Sequence, residues 1–258
     1  MNRSCFDDEL AGLDALKNRI AALRPLNETE IKRLREDFMV ENTYNTNAIE
    51  GNSLTLRETA LVLMEGMTVA GKPLKDHLEA IGHREAFEYM VSIAGANESL
   101  TERVIREIHT LVLMNDTRNK GSYRNVPVMI LGAAHEPPQP YLVAPQMEAL
   151  LADYDGMKRD RHIIEAIAEF HLRFEGIHPF IDGNGRTGRL IINLELIKAG
   201  FLPVDIKFTD RHKYYACFDG YYGEKQTPDM LTELIINYEK HELERYIGIV
   251  EYANGRTE

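Results

Sequence analysis

The sequence predicts a mostly α-helical protein that carries one small β-hairpin. Two observations predict this: apolar residues recur near every 3.6 positions through most of the 258 residues, and one short region alone reads as extended. A third, the lack of any repeat, low-complexity tract or Pro/Gly/Ser-rich linker, predicts one compact unit. Leu10, Leu13, Leu16, Ile20 and Leu23 form the first helical stripe, which Pro25 stops. Ile31, Leu34 and Phe38 form a second after Asn27, and the capping pattern Thr55-Leu56-Arg57-Glu58 opens a helix through Met64. A second such box, Ser99-Leu100-Thr101-Glu102, precedes Ile105, Ile108, Leu111 and Val112. Val126 to Gly132, then Ala133 to Pro140 and the short apolar run Tyr141-Leu142-Val143, predict the hairpin. Residues 161–177 place Ile164, Ile167, His171 and Phe174 on one helical face, and Thr227-Pro228 opens a terminal helix.

Composition removes several functional classes. With 30 Lys+Arg against 41 Asp+Glu, the net charge of −11 argues against binding bare nucleic acid by charge. No apolar run approaches the roughly 18 residues of a membrane span. The N-terminus turns acidic where a secretory signal turns apolar, and Cys5 and Cys217 form neither a disulfide framework nor a CxxC site, so the expected compartment is the cytoplasm.

The informative segment is His178-Pro179-Phe180-Ile181-Asp182-Gly183-Asn184-Gly185-Arg186-Thr187-Gly188-Arg189, followed by a helical run that Gly200 closes. Its glycines stand at a helix N-terminus, where free backbone N–H groups and the positive end of the dipole favour an anion. Without a Cβ, Gly183 and Gly185 let a phosphate approach the backbone. Arg186 and Arg189 share one side of the first turn, and guanidinium forks suit phosphate oxygens. Asp182 supplies the single carboxylate typical of Mg²⁺ held jointly with substrate phosphates. His178 can take a proton from an attacking hydroxyl.

These residues resemble the Fic (Fido) domain family, whose signature H-P-F-x-[DE]-G-N-G-R-x-x-R is met at His178, Pro179, Phe180, Asp182, Gly183, Asn184, Gly185, Arg186 and Arg189. The resemblance implies a Mg²⁺-dependent protein adenylyltransferase that moves AMP from ATP to a Ser, Thr or Tyr hydroxyl of a target protein and releases pyrophosphate. It implies that His178 is the base, that Asp182 holds Mg²⁺, and that Gly183, Asn184, Gly185, Arg186, Thr187 and Gly188 bind nucleotide, with Arg189 on the γ-phosphate. It makes the hairpin a flap whose Met129, Ile130, Leu131 and Gly132 lie beside the nucleotide and whose edge aligns the target by strand addition. Tyr214 and Tyr215, within Arg211-His212-Lys213-Tyr214-Tyr215, look like adenine walls. Tyr222 stands where family members often carry Asn, which leaves base identity open.

Upstream, Thr46-Asn47-Ala48-Ile49-Glu50-Gly51 resembles the family's inhibitory pattern [ST]-x-x-x-E-[GN]. A Glu50 carboxylate on Arg189 would satisfy the guanidinium and repel the γ-phosphate. Relatives also use this glutamate to remove AMP, and those with this inhibitor often form homodimers.

The resulting division is an N-terminal helical region (1–99) with the inhibitory helix near Glu50, a catalytic core (100–240) and a C-terminal helix end (241–258), with no further DNA-binding domain expected. Alternative readings are another nucleotide or a phosphocholine donor, a regulatory module that binds ATP without turning it over, and a metal-dependent phosphohydrolase built on His162, His171 and His178. No zinc-type spacing supports the last. Gly66 to Pro73 almost spells a Walker A loop, but Pro73 replaces the Mg²⁺-binding hydroxyl and no strand precedes it.

Overall fold

In the computed structural model, residues 5–23, 26–130, 132, 135–223 and 225–254 are described. Pro25, the expected helix stop, and Leu131, an expected nucleotide contact, lie outside them. The described residues form α1 (Asp7–Ala22), α2 (Glu28–Ile49), α3 (Leu56–Glu65), α4 (Leu74–Gly95), α5 (Glu102–Val112), α6 (Pro140–Asp160), α7 (Ile163–Ile177), α8 (Asn184–Lys198), α9 (Arg211–Tyr222) and α10 (Asp229–Asn254).

Local chemistry sets the starts. Asn27 and Thr55 each cap their helix through a reciprocal box with Glu30 and Glu58. The cap of α5 is Thr101 and not Ser99, because the Thr101 hydroxyl accepts from the backbone of Val104. The near-Walker segment joins α3 to α4, so no strand precedes it.

The expected hairpin is not there: among the described residues no strand forms, and the architecture is all-helical. Tyr141-Leu142-Val143 is the first turn of α6. Pro140 at its N-terminus suits the first helical position, and Val143, Met147, Leu150 and Tyr154 continue as a buried stripe at helical spacing. Residues 127–130 therefore have no partner strand and run as a loop between α5 and α6.

The centre of the molecule is α8, buried along nearly its whole length and packed against α4, α5, α7 and α2. In the second half of this buried helix the polar groups Asn193 and Glu195 are paired, as burial requires. Asn193 exchanges two hydrogen bonds with the backbone of Val204, and Glu195 accepts from Tyr154 and Lys198. The end of α2 is clamped by the segment after α8, where buried Asp205 accepts from Asn42 at 3.1 Å, Asn45 at 2.7 Å and Lys207 at 2.7 Å. The α8 N-terminus is thereby fixed in the core, with the C-terminal end of α2 against it.

Candidate functional site

The site is built where α7 stops and α8 starts. The backbone of His178 still donates to Phe174, but its φ of 49° ends α7 in the left-handed region, and Pro179 cannot continue a helix. Phe180 is fully buried and stacks on His109 at 3.6 Å between ring centroids. His109 accepts from Gly121 N at Nδ1 and donates from Nε2 to the Asp182 carbonyl, which fixes its neutral tautomer. Burial accordingly lowers its pKa to about 4. Asn184 closes the loop: its amide accepts from Phe180 N and donates to Phe180 O, both at 2.9 Å. Gly183 supplies the positive φ of 78° that turns the chain into α8.

Eight expected residues converge on the cavity around this turn. His178, Gly185 and Arg189 line it with Glu50, Ile130, Gly132, Glu175, Tyr214, Tyr215 and Tyr222, enclosing about 430 Å³. The Nδ1 of His178 is buried without a hydrogen-bond partner, 3.9 Å from Glu175 Oε2, while the side chain as a whole is partly exposed. Burial lowers the His178 pKa below 6.5, and the Arg124 charge adds to that effect. The imidazole is thus neutral, a form that can accept a proton.

Arg189 is buried and fully engaged. Its Nε donates to Thr46 Oγ1 at 2.8 Å, and Nη2 donates to Thr46 O at 3.1 Å and to Glu50 Oε1 at 2.7 Å. Thr46 and Glu50 are one helical turn apart at the end of α2, so the same face reaches one guanidinium. Glu50 also covers the helix N-terminus: a Cβ on Gly185 would lie 2.3 Å from Glu50 Oε1. The carboxylate occupies an anion position.

Arg186 is almost inaccessible, with Nη1 3.2 Å from Glu79 Oε1 and Nη2 3.2 Å from Asp182 Oδ1. Its Nε is a buried donor without a partner. Asp182 is half exposed; its Oδ1 accepts from Gly183 N and Arg186, whereas Oδ2 takes no hydrogen bond from the described residues. A free carboxylate oxygen beside an anion-binding helix end fits a Mg²⁺ ion that shares its other ligands with phosphates and water. Among the described residues no cluster of three or more His, Cys, Asp or Glu side chains could hold a metal alone, which leaves the phosphohydrolase reading without a centre.

Tyr214 is buried, bonded to His171 Nε2 at 2.7 Å and reached by Arg189 Nη1 at 3.3 Å. Tyr215 is half-exposed on the cavity and donates to Ile49 O. Met129 points away, at 79% exposure, and does not line the cavity. Thr187 and Gly188 face the core, where a Cβ on Gly188 would meet Glu175 and His171 at under 3 Å.

Several residues here carry no sequence signal of their own. His135 stacks on Tyr222 at 3.9 Å and bonds Gly176 O, closing the far end of the cavity. Glu175 is buried with Oε1 unpartnered, and its pKa is pushed up to about 8 by burial and by Glu50. Arg124 binds only backbone carbonyls.

A left-handed histidine beside a glycine-rich helix start, inside a helical bundle, defines an anion-binding class of site with a base at its rim. Residues 99–196 match the profile of the Fic/DOC family, and the chain belongs to that family. It is similar to the protein adenylyltransferase Fic of Nematostella vectensis, with 38% identity over 207 residues, 79% of this chain and 48% of the relative. It also resembles the protein adenylyltransferase fic-1 of Caenorhabditis briggsae, with 30% identity over 94% of this chain and 47% of that protein. The chain spans about half the length of these curated relatives. Among solved structures, a Fic domain containing signaling protein from Bacteroides thetaiotaomicron superposes with TM-score 0.84 at 28% identity, covering 94% of this chain and 97% of that one. Fic-1 (residues 134–508) from C. elegans gives TM-score 0.81 at 29% identity, covering 93% and 71%.

Proposed function

We propose that this chain is a protein adenylyltransferase that moves AMP from ATP to a hydroxyl of a target protein and is held back by Glu50. The observation that carries the reading is the convergence, on one cavity, of a neutral His178 imidazole with an α8 N-terminus whose anion position is filled by an internal carboxylate. Relatives that carry the adenylyltransferase name align over 79% of the chain or more.

In this reading the target hydroxyl gives its proton to His178 Nε2 as its oxygen attacks the α-phosphorus, and the bond to the pyrophosphate oxygen breaks. The α8 amides at Gly185 hold phosphate oxygens, and Arg189 exchanges Glu50 for the terminal phosphate. Arg186 contributes charge from below the cradle. Asp182 would hold Mg²⁺, which when bound screens the charge of the phosphates. Asn184 is occupied by Phe180 on both sides of its amide, which supports a loop-closing role for it and not a phosphate contact. Tyr215 flanks the nucleoside, and the loop with Ile130 and Gly132 covers it. The exposed Met129 and Val126 offer the target a surface on the loop that leads to Ile130. Two free cysteines, and no described helix long and apolar enough to cross a membrane, fit a cytoplasmic protein.

The test uses the Glu50→Gly protein and ATP labelled on either the α- or the γ-phosphate. Label retained on protein from the α-position alone is the expected result. Retention from the γ-position would indicate phosphoryl transfer, and retention from neither would favour an ATP-binding module. Competition by CTP, GTP and UTP then assigns the base that Tyr222 leaves open.

A further inference from the structure

We infer that Arg124 is a positioning residue that ties the loop over the cavity to the base, fixing His178 and both ends of the 126–138 segment through a single guanidinium. Its side chain is buried between α7 and that loop. Nε donates to the carbonyl of His178 itself at 2.8 Å, and Nη2 donates to the preceding Ile177 carbonyl at 3.3 Å. Nη1 donates to Val126 O at 3.2 Å, where the loop leaves, and Nη2 also donates to Pro138 O at 2.6 Å, where it returns. The Arg124 backbone N–H reaches Pro179 O at 2.9 Å, so the carbonyls before and after Pro179 are both held.

Only a planar fork with five donors can satisfy four carbonyls converging from three chain segments; the single ammonium of lysine lacks that reach. The carbonyls matter because they cannot satisfy themselves. Those of Ile177 and His178 are released where α7 ends, and a helix end that is buried needs outside donors. His178 adopts φ 49°, a conformation that a non-glycine residue keeps only when its surroundings enforce it. Among the described residues no carboxylate forms an ion pair with Arg124, and its charge favours the neutral form of the neighbouring imidazole, against the Glu50 and Asp182 carboxylates, which favour the charged form. Movement of the loop, for instance when a target segment lies along it, is thereby coupled mechanically to the orientation of His178.

The inference rests on His178 being the base, so its test includes readouts independent of transfer. In the Glu50→Gly background, Arg124→Lys keeps the charge and loses the fork, whereas Arg124→Met loses both. NMR titration of the His178 imidazole, assigned by loss of its signal in His178→Ala, should show a pKa near that of the parent in Arg124→Lys. In Arg124→Met it should rise by on the order of one unit. Deuterium uptake at residues 126–130 and 135–139 should increase in both variants. The single-turnover transfer rate at saturating ATP should fall about tenfold or more in both, because the base is displaced. The acid limb of the pH–rate profile should move upward in Arg124→Met alone.

An unmoved imidazole pKa together with unchanged uptake would overturn the inference, as would a parental transfer rate at saturating ATP in both variants. If the Glu50→Gly parent transfers no label, the adenylyltransferase reading fails, and the titration and exchange data still decide the role of Arg124. If Arg124→Met does not fold, the lysine variant decides through exchange and rate: parental values in both refute the coupling.

Discussion

Replacing Glu50 by glycine should tighten ATP binding without touching adenosine. The carboxylate makes a 2.7 Å charge-assisted bond to Arg189 and lies over Gly185, so a phosphate must displace it to reach either. Such a bond contributes about 1.5–3 kcal/mol, and because the Glu50 side chain is 34% exposed the lower end applies. At about 1.4 kcal/mol per tenfold, the expected gain in ATP affinity is roughly tenfold, rising toward a hundredfold where phosphate repulsion adds to the lost bond. The substitution leaves the rest of the site standing. Thr46 still holds Arg189 at two points, the Asp205 clamp still holds α2, and Glu50 has a φ of −87° that any residue adopts. Titration calorimetry of wild type and variant with ATP, and with adenosine as a control that lacks phosphate, measures the effect. An ATP Kd within twofold of wild type, or an equal tightening of adenosine, would refute the reasoning.

Two further predictions concern stability and pH. Asp205→Ala leaves the buried amide of Asn42 without its acceptor and that of Asn45 with the Glu41 carbonyl alone, which should cost about 1–3 kcal/mol in urea unfolding and also raise ATP affinity as the end of α2 loosens; an undiminished unfolding midpoint would contradict the clamp. Glu239 is buried with Oε2 unpartnered, and burial pushes its pKa from 4.5 up to about 8. Between those values the folded chain keeps a proton that the unfolded chain has lost, so this group makes stability fall as pH rises, by about 1.4 kcal/mol per pH unit. Glu239→Gln should therefore stabilise the protein at pH 8 and leave it near wild type at pH 4.5; the same difference at both pH values would show that the carboxyl does not titrate there.

What the sequence reveals depends on how local each cause is. The cores of α1, α2, α5 and α7 follow from apolar spacing, and the turn from His178 to Arg189 follows from Pro, Gly and helix-end chemistry within one short stretch. The meeting of Glu50 with Arg189 across 139 residues is foreseeable only through a resemblance. The hairpin fails for a physical reason: a three-residue apolar run is too short to separate strand from helix, and Val143 belongs to a stripe that continues through Tyr154. The first half of helix α4 has no apolar stripe to read, because its buried face there includes Asp76, His77, Glu79, Gly82 and His83; only Phe87, Met90 and Ile93 further on keep helical spacing. Arg124 and His109 are invisible for another reason. Their partners are backbone carbonyls and amides from distant segments, and no residue type marks those positions.

The central claim is that His178 drives AMP transfer once Glu50 is removed. Intact-mass analysis of the Glu50→Gly protein after incubation with Mg²⁺ and ATP, beside Glu50→Gly/His178→Ala, tests it most directly. The account predicts a gain of one AMP that disappears in the double variant. No gain in either protein while ATP still binds, or an equal gain in both, would contradict it.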